Sequence, residues 1–330
     1  MIGVIIVAYQ SADVIGACVR SLLASEGADL RIIVVDNGCT DATAKVVAAA
    51  ADGADFADLP AERAEHLALA DIAKVTLLRS PVNLGYAGAC NIGLKALMPH
   101  AAVNLFWILN PDCVVMPDTA AAYVRCGAQA GAFGLMGGRT LYHDPPHHVQ
   151  SDGGRLRRLT GIAVNVNAGA LPDAVTMPDA ATLDFISGAN MVASRAFIEQ
   201  VGLMAEDYFL YYEELDWAAR RGALPFRLCP DAIVHHHGGT TIGTGTLVRA
   251  PSPFANYFNY RNRMRFMRRF APAFVPCSWL WSLAAIGKML LKGGGWPAAA
   301  AALRGLHELP PPPEVRARLA PAAAALAFGR

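Results

Sequence analysis

Apolar residues near the start of this chain form short unbroken runs, separated by stretches of helical spacing. Gly3-Val4-Ile5-Ile6-Val7-Ala8-Tyr9 is continuous and β-branched, the pattern of a strand buried on both faces. Polar Gln10-Ser11-Ala12-Asp13 follows. Residues 14–24 then have helical spacing, with Ser11 or Asp13 as a cap. Residues 31–35 predict a second strand, which stops at Asp36-Asn37-Gly38-Cys39-Thr40-Asp41, and residues 42–51 predict a second helix. This βαβα order argues for a parallel sheet with crossover helices. No G-x-G-x-x-G follows the first strand, so the dinucleotide fingerprint is missing.

Residues 52–74 are alanine-rich and acidic with weak periodicity, and are expected to form a surface insertion before a short strand at 75–78. In Asn83-Leu84-Gly85-Tyr86-Ala87-Gly88-Ala89-Cys90-Asn91-Ile92-Gly93, glycines permit close backbone approach to a ligand, and a helix starting there aims free N–H groups at an anion. The run 103–109 predicts another buried strand, ended by Asn110-Pro111-Asp112. Pro111 removes a backbone donor and fixes its own φ. Asp112 therefore stands just past the C-terminal end of a core strand, the rim where open α/β sheets bind ligands. A hard carboxylate there suits Mg2+ or Mn2+ shared with phosphate oxygens. Beyond it, 116–130 predicts a helix, 133–139 a strand, 143–158 a solvated loop with three histidines, and 227–234 a last strand.

Composition narrows the class. The chain has 330 residues, 54% hydrophobic and 17% charged, enough for one large domain or two smaller ones. A net charge of +1 gives no nucleic-acid footprint. The seven cysteines are scattered, odd in number and without a C-x-x-C, which predicts reduced thiols in a cytosolic protein. The chain opens directly in a strand, so no signal peptide is expected.

Several segments together carry a family likeness. Val34-Val35-Asp36-Asn37-Gly38-Cys39-Thr40-Asp41 resembles the V-D-N-x-S-x-D segment of the large inverting glycosyltransferase family 2, of GT-A fold. Asn83-x-Gly85-x-x-Gly88-x-x-Asn91-x-Gly93 is similar to that family's N-x-G-x-x-x-x-N-x-G segment. Leu109-Asn110-Pro111-Asp112 looks like the rhamnosyltransferase-type version of its D-x-D motif, with Asn110 in place of the first acidic residue. Cys39 stands where Ser is usual. Ser187-Gly188-Ala189-Asn190-Met191 with Arg195 resembles the G-x-x-M-x-x-R segment, Glu213-Glu214-Leu215-Asp216 the E-D-x-D motif, and His236 with Gly238 and Gly239 the H-x-G-G segment. The likeness runs through roughly residues 2–240.

The resemblance implies an α/β fold with a GT-A, Rossmann-like, mostly parallel sheet and a C-terminal helical extension. Residues 1–240 would form the transferase domain, with 1–115 the nucleotide-sugar half and 116–240 the acceptor half. Residues 241–330 would hold a lid loop and helices. It implies inverting, metal-assisted transfer of a sugar from a nucleoside diphosphate to a saccharide or lipid-linked acceptor in cell-surface polysaccharide synthesis. Rhamnose from dTDP-rhamnose is the leading donor. Ala8, Tyr9, Asp36, Asn83, Gly85, Asn91, Asn110, Asp112 and Arg261 would bind the nucleotide sugar. Asp112 and His236 would hold Mg2+ or Mn2+. Ser187, Gly188 and Trp217 would meet the acceptor. Glu214 would be the base, since an inverting transfer needs one carboxylate to take the acceptor proton, with Glu213 and Asp216 in support. Carboxylates at a helix N-terminus also serve as ordinary caps, the competing account of this cluster.

The chain's character changes after Thr240. Residues 241–253, rich in Gly, Thr and Pro, are expected to form the lid. The basic, aromatic run 256–270 and the apolar run that follows suit peripheral contact with an anionic membrane through 256–291; packing on the domain or on a homodimer mate is the alternative. The expected location is cytoplasmic, at the inner face of the cytoplasmic membrane. Two rival functions remain at this stage. One is a nucleotidyltransferase on a related fold, which lacks its usual basic glycine loop in Tyr9–Asp13. The other is a non-catalytic nucleotide-sugar binder.

Overall fold

The computed structural model describes every residue except 130, 146, 239–249, 294 and 330. The strands are β1 (Ile2–Ala8), β2 (Leu30–Asn37), β3 (Phe56–Pro60), β4 (Val75–Ser80), β5 (Leu105–Leu109), β6 (Cys113–Val115), β7 (Leu135–Tyr142), β8 (Val149–Ser151), β9 (Gly154–Arg157), β10 (Ile162–Asn165), β11 (Asn190–Ser194) and β12 (Arg227–His236). The helices are α1 (Ile15–Leu23), α2 (Thr43–Ala50), α3 (Gly85–Leu97), α4 (Thr119–Gln129), α5 (Arg195–Val201), α6 (Glu213–Ala219), α7 (Pro253–Phe270), α8 (Val275–Leu291), α9 (Trp296–Leu306), α10 (Pro313–Arg316) and α11 (Pro321–Phe328).

One sheet of ten strands runs β3-β4-β2-β1-β5-β11-β7-β12-β6, with β8 on β7. The β3 to β5 half is parallel throughout. β11 enters antiparallel between β5 and β7, and β12 returns parallel to β7. Strand alternation divides the core in two. Ile5, Val7, Ile33, Val35, Phe106 and Ile108 face the layer holding α3. Val4, Ile6, Ile32, Val34, Trp107 and Leu109 face the layer of α1, α2 and α4. Both faces are covered, which is why these strands are unbroken apolar runs.

Several expectations are corrected. The stretch 52–74 is no mere insertion: Phe56–Pro60 adds β3 in parallel to β4 at the sheet edge. The loop expected at 143–158 contains β8 and β9, whose short lengths hid them between turn residues. Cys126 and Cys229 form a disulfide with Cα atoms 6.0 Å apart, leaving five free thiols. They lie 103 residues apart in sequence and meet because α4 packs on β12, so no spacing pattern marked them. Helix α7 is not a surface helix: Tyr257, Phe258, Arg261, Asn262, Met264 and Phe266 are among its buried residues. Most aromatic side chains of 256–270 are thereby spent inside the protein, while Arg268 and Arg269 stay exposed and pair with Glu308 and Asp207. The lid expected at 241–253 falls largely outside the described residues.

Candidate active site

A cavity of about 400 Å³ opens at the C-terminal ends of β1, β2 and β5. Tyr9, Asn37 and Asn110 to Asp112 form its floor on the rim of the parallel strands. Tyr142 and Gln150 enter from β7 and β8, and Ser187 and Gly188 from the loop before β11. Glu213 and Glu214 close one side. Phe254, Arg318 and Leu319 reach it from the C-terminal helices and the turn after α10.

The wall beside β2 is built from amide side chains. Asn37 accepts from the Leu84 N–H at 2.8 Å and donates to Asn83 Oδ1 and the Gly85 carbonyl, both at 3.1 Å. Asn83 Oδ1 also accepts from the Gly85 N–H at 2.9 Å. The start of α3 is thus tied to the end of β2. Two glycines make this possible. Gly38 has φ +74°, and a Cβ there would lie 2.8 Å from the Asn83 nitrogen. Gly85 has φ +78°, and a Cβ would meet the Phe209 carbonyl oxygen at 2.3 Å. Any other residue at either position would push the loops apart.

On the floor, Asp112 Oδ1 faces His236 Nε2 at 2.9 Å, and both side chains are buried. His236 Nδ1 lies 2.5 Å from Gln150 Oε1, and its Nε2 lies 3.2 Å from the Asn110 amide nitrogen. An amide oxygen accepts and an amide nitrogen donates, so these contacts fit one tautomer, with the proton on Nδ1 and the lone pair on Nε2. Nε2 and the carboxylate oxygen are then two acceptors in contact, an attractive arrangement only with a proton or cation between them. Asp112 Oδ2 accepts from the Gly238 N–H at 3.1 Å, which orients the carboxylate. A hard oxygen and a neutral imidazole whose far nitrogen is held by a second partner fit a divalent ion. Cys113 is close enough to complete a three-ligand group, but its thiol lies in the core and donates to the Ala189 carbonyl. A second group, His143, Asp144 and His237, lies nearby. Its imidazoles are stacked with centroids 3.7 Å apart, a ring-packing geometry, and Asp144 is exposed.

The acidic side is built differently. Phe209, Tyr211 and Tyr212 have φ of +64°, +67° and +74°, a conformation costly for side chains of this size. Helix α7 holds this turn. The Asn262 amide donates to the carbonyls of Tyr208, Leu210 and Tyr211 at 2.9, 2.6 and 3.1 Å. Arg261 donates to the Tyr208 carbonyl at 2.8 Å, and the Tyr212 hydroxyl to the Gly161 carbonyl at 2.8 Å. The turn delivers Glu213 and Glu214 to the cavity, each with Oε2 buried and without a hydrogen-bond partner among the described residues. Burial raises the Glu214 carboxyl to about 6. Burial, and then the charge of Glu214, push Glu213 well above the usual carboxylate range. Burial and mutual repulsion thus both disfavour two charges on this pair.

Of the residues expected in the site, Tyr9, Asn83, Gly85, Asn110, Asp112, Ser187, Gly188, Glu213, Glu214 and His236 line this one cavity. Ala8 and Asp36 sit just behind its wall, paired in register, with Asp36 accepting from the Cys39 N–H at 2.8 Å. Four others are turned into the protein and do not line it. Asp216 is fully buried between Arg220 and Arg269 and accepts from the Tyr208 hydroxyl, so it joins α6 to α7. Trp217 stacks edge-on to Phe197 and donates to the Gly202 carbonyl. Asn91 is spent on Met204 and Glu206. Arg261, 2% exposed, donates to the carbonyls of Tyr208 and Ala327, where it cannot reach a diphosphate.

Sequence reasoning missed Asn37, Tyr86, Gln150 and Arg318. Asn37 directly follows Asp36 at a strand end, and that position was a usable signal. Nothing in the sequence links Gln150 or Arg318 to the rim.

Residues 3–125 match the family described as Glycosyl transferase family 2. The low-salt glycan biosynthesis hexosyltransferase Agl10 of Haloferax volcanii is 26% identical over 187 residues, 55% of this chain and 56% of that protein. The succinoglycan biosynthesis protein ExoO of Rhizobium meliloti is 30% identical over 128 residues, 39% of this chain and 30% of its own length. The chain thus spans about half of the first curated relative and under a third of the second. Among solved structures, a mannosyltransferase from Pyrobaculum calidifontis in complex with GDP-Man and Mn2+ superposes with a TM-score of 0.51 at 17% identity, covering 99% of this chain and 84% of that one. The fold is that of GT-A glycosyltransferases: a mixed, mostly parallel sheet with C-terminal helices.

Proposed function

We propose that this protein is an inverting, divalent-metal-assisted glycosyltransferase that moves a sugar from a nucleoside diphosphate to a hydroxyl of a saccharide or lipid-linked acceptor in glycan synthesis. The observation that carries this reading is the division of one cavity into a cation-holding end, Asp112 with His236, and a proton-accepting end, Glu214. The amide wall of Asn37 and Asn83 and the helix start at Gly85 suit the nucleotide between them.

In this reaction Glu214 takes the proton of the acceptor hydroxyl. The hydroxyl oxygen attacks the anomeric carbon from the face opposite the leaving group, the bond from that carbon to the diphosphate oxygen breaks, and the diphosphate departs with the electron pair. Burial and the charge of Glu214 both disfavour a second charge on Glu213 beside it. Ser187 and Gly188, facing the same space, fit the acceptor. Asp112 and His236 would hold Mg2+ or Mn2+, which would supply neutralisation of the diphosphate charge. Tyr86, whose hydroxyl donates to the Gly188 carbonyl at 2.7 Å, fixes the acceptor loop against the start of α3.

The relatives' names, a hexosyltransferase and a mannosyltransferase, widen the donor beyond rhamnose, so dTDP-rhamnose is the first donor to try and UDP-hexoses and GDP-mannose the next. The reaction is assigned to the cytoplasmic face of the membrane. A thermal-shift panel of dTDP, UDP and GDP, with and without Mn2+, tests the donor half. A metal-dependent rise with one of them is expected. No shift with any nucleotide in a folded sample removes the donor site.

A further inference from the structure

Helix α8 leaves much of its apolar surface outside the protein. Its buried residues are Ser278, Ser282 and Ile286, one per turn on a single stripe. The Ser278 hydroxyl donates to the Thr160 carbonyl at 2.8 Å, and Ser282 accepts from Arg263 at 2.7 Å. Trp279, Leu283 and Met289 pack half-buried beside Ile286, while a second set of large apolar residues points outward. Leu280 is 61% exposed and Leu291 90%, with Trp281 and Leu290 also exposed on the helix and Trp296, at 68%, opening α9. Pro272–Leu291 is long and apolar enough by composition to cross a membrane, yet only 17% of it is buried in the protein, far less than a core helix of that composition needs. Leu280, Trp281, Leu290, Leu291 and Trp296 left in water, while two serines of the same helix are buried, is not what water selects, and such an exposed apolar set marks an interaction surface.

Charge identifies what it meets. Residues 232–307 contain nine Lys and Arg and no Asp or Glu, in a chain whose net charge is only +1. Lys288 and Lys292 flank Leu290 and Leu291, are exposed, and form no ion pair among the described residues. Apolar side chains with tryptophans and lysines at the margin fit the boundary between anionic headgroups and acyl chains. A second copy docked on this face about a two-fold axis would bring the same lysines together, which opposes a homodimer there. The serine stripe fixes one side of α8 to the domain, so lipid cannot surround the helix as it does a span.

We infer that the outer face of α8, with Trp296, lies in the surface of an anionic lipid bilayer and docks the whole protein on it. The inference stands apart from the transfer reaction, since docking is read without donor or acceptor.

The test is co-sedimentation of the full chain with vesicles of phosphatidylcholine alone or mixed with phosphatidylglycerol, across a salt series. Binding should favour phosphatidylglycerol vesicles and weaken as salt rises. Leu280→Glu with Leu291→Glu should cut it at least tenfold, and Lys288→Glu with Lys292→Glu should remove the preference for phosphatidylglycerol. Unchanged thermal unfolding in both variants keeps a folding defect distinct from a docking defect. Failure of the folded protein to bind either vesicle overturns the inference, as does undiminished binding by the leucine variant. A dimer in solution that the leucine variant dissociates would assign the face to self-association and overturn it equally.

Discussion

Asp112 and Glu214 line one cavity, and the fold surrounds them in opposite ways. Asp112 has the Gly238 N–H on one oxygen and the His236 ring on the other. Glu214 keeps one buried oxygen without a partner among the described residues, in a place where burial lifts its carboxyl to about 6. The first arrangement holds a charge in place; the second leaves a charge ready to be neutralised. Their supports differ too. Asp112 stands on the floor because a core strand ends there. Glu214 is delivered by a strained turn clamped from a helix nearly fifty residues further along the chain. In the proposed reaction, ligand holding would therefore rest on the regular sheet, and proton transfer on a segment that is costly to maintain.

The largest effect that would sharpen this contrast is Glu214→Gln. Transfer should fall about 1,000-fold, with nucleoside diphosphate affinity nearly unchanged; calorimetry and a donor-turnover assay on one sample measure both. Turnover near wild type would remove Glu214 as the base. Next is Asn262→Ala, which strips three carbonyls of the strained turn. Unfolding experiments should find a loss of about 3 kcal/mol, and turnover should drop by more than the donor KM rises, because Asn262 holds the turn that carries Glu214 and the donor wall meets that turn only at the start of α3. A change in KM alone would break the division of labour. Asp112→Ala should weaken nucleoside diphosphate binding on the order of 100-fold in Mn2+ and little in EDTA; equal loss in both would count against metal ligation.

The smallest effect is on stability. The folded-state pKa of Glu214 is raised, from 4.5 to about 6. Its contribution is therefore fully present below about pH 4.5 and is lost as pH rises through 6. That loss is worth about 2 kcal/mol. Glu214→Gln abolishes it, so the variant should gain about that much over wild type between pH 4 and pH 8, as read by denaturant unfolding. A constant difference across that range would mean the carboxyl is not strained by burial.

The sequence made legible what strand ends determine. Buried runs followed by turn residues put Asn83, Asp112 and His236 on one rim, and three-dimensional packing left them there. It failed where direction mattered. Glu214 and Asp216 are two residues apart on a helix, about 200° around its axis, so one can face the cavity only if the other turns away; the motif names both without distinguishing them. Arg261 lay in the basic, aromatic run 256–270 and was expected at the nucleotide sugar, but with Asn262 it holds carbonyls of the 208–211 turn. A strained turn of Phe, Leu and Tyr carries none of the Gly or Asn that normally announces positive φ. Arg318 reaches the cavity from a tail whose packing has no local code. On α8 the composition was readable from the start, but which side faced water was not, until the serines were found inside.

The most direct test is the pH dependence of kcat/KM, which reports the free enzyme. Measured from pH 5 to 8 with Mn2+ held saturating, it should rise with unit slope and level off above about pH 6, the value burial gives Glu214. A flat profile over that range would contradict the assignment of Glu214 as the base.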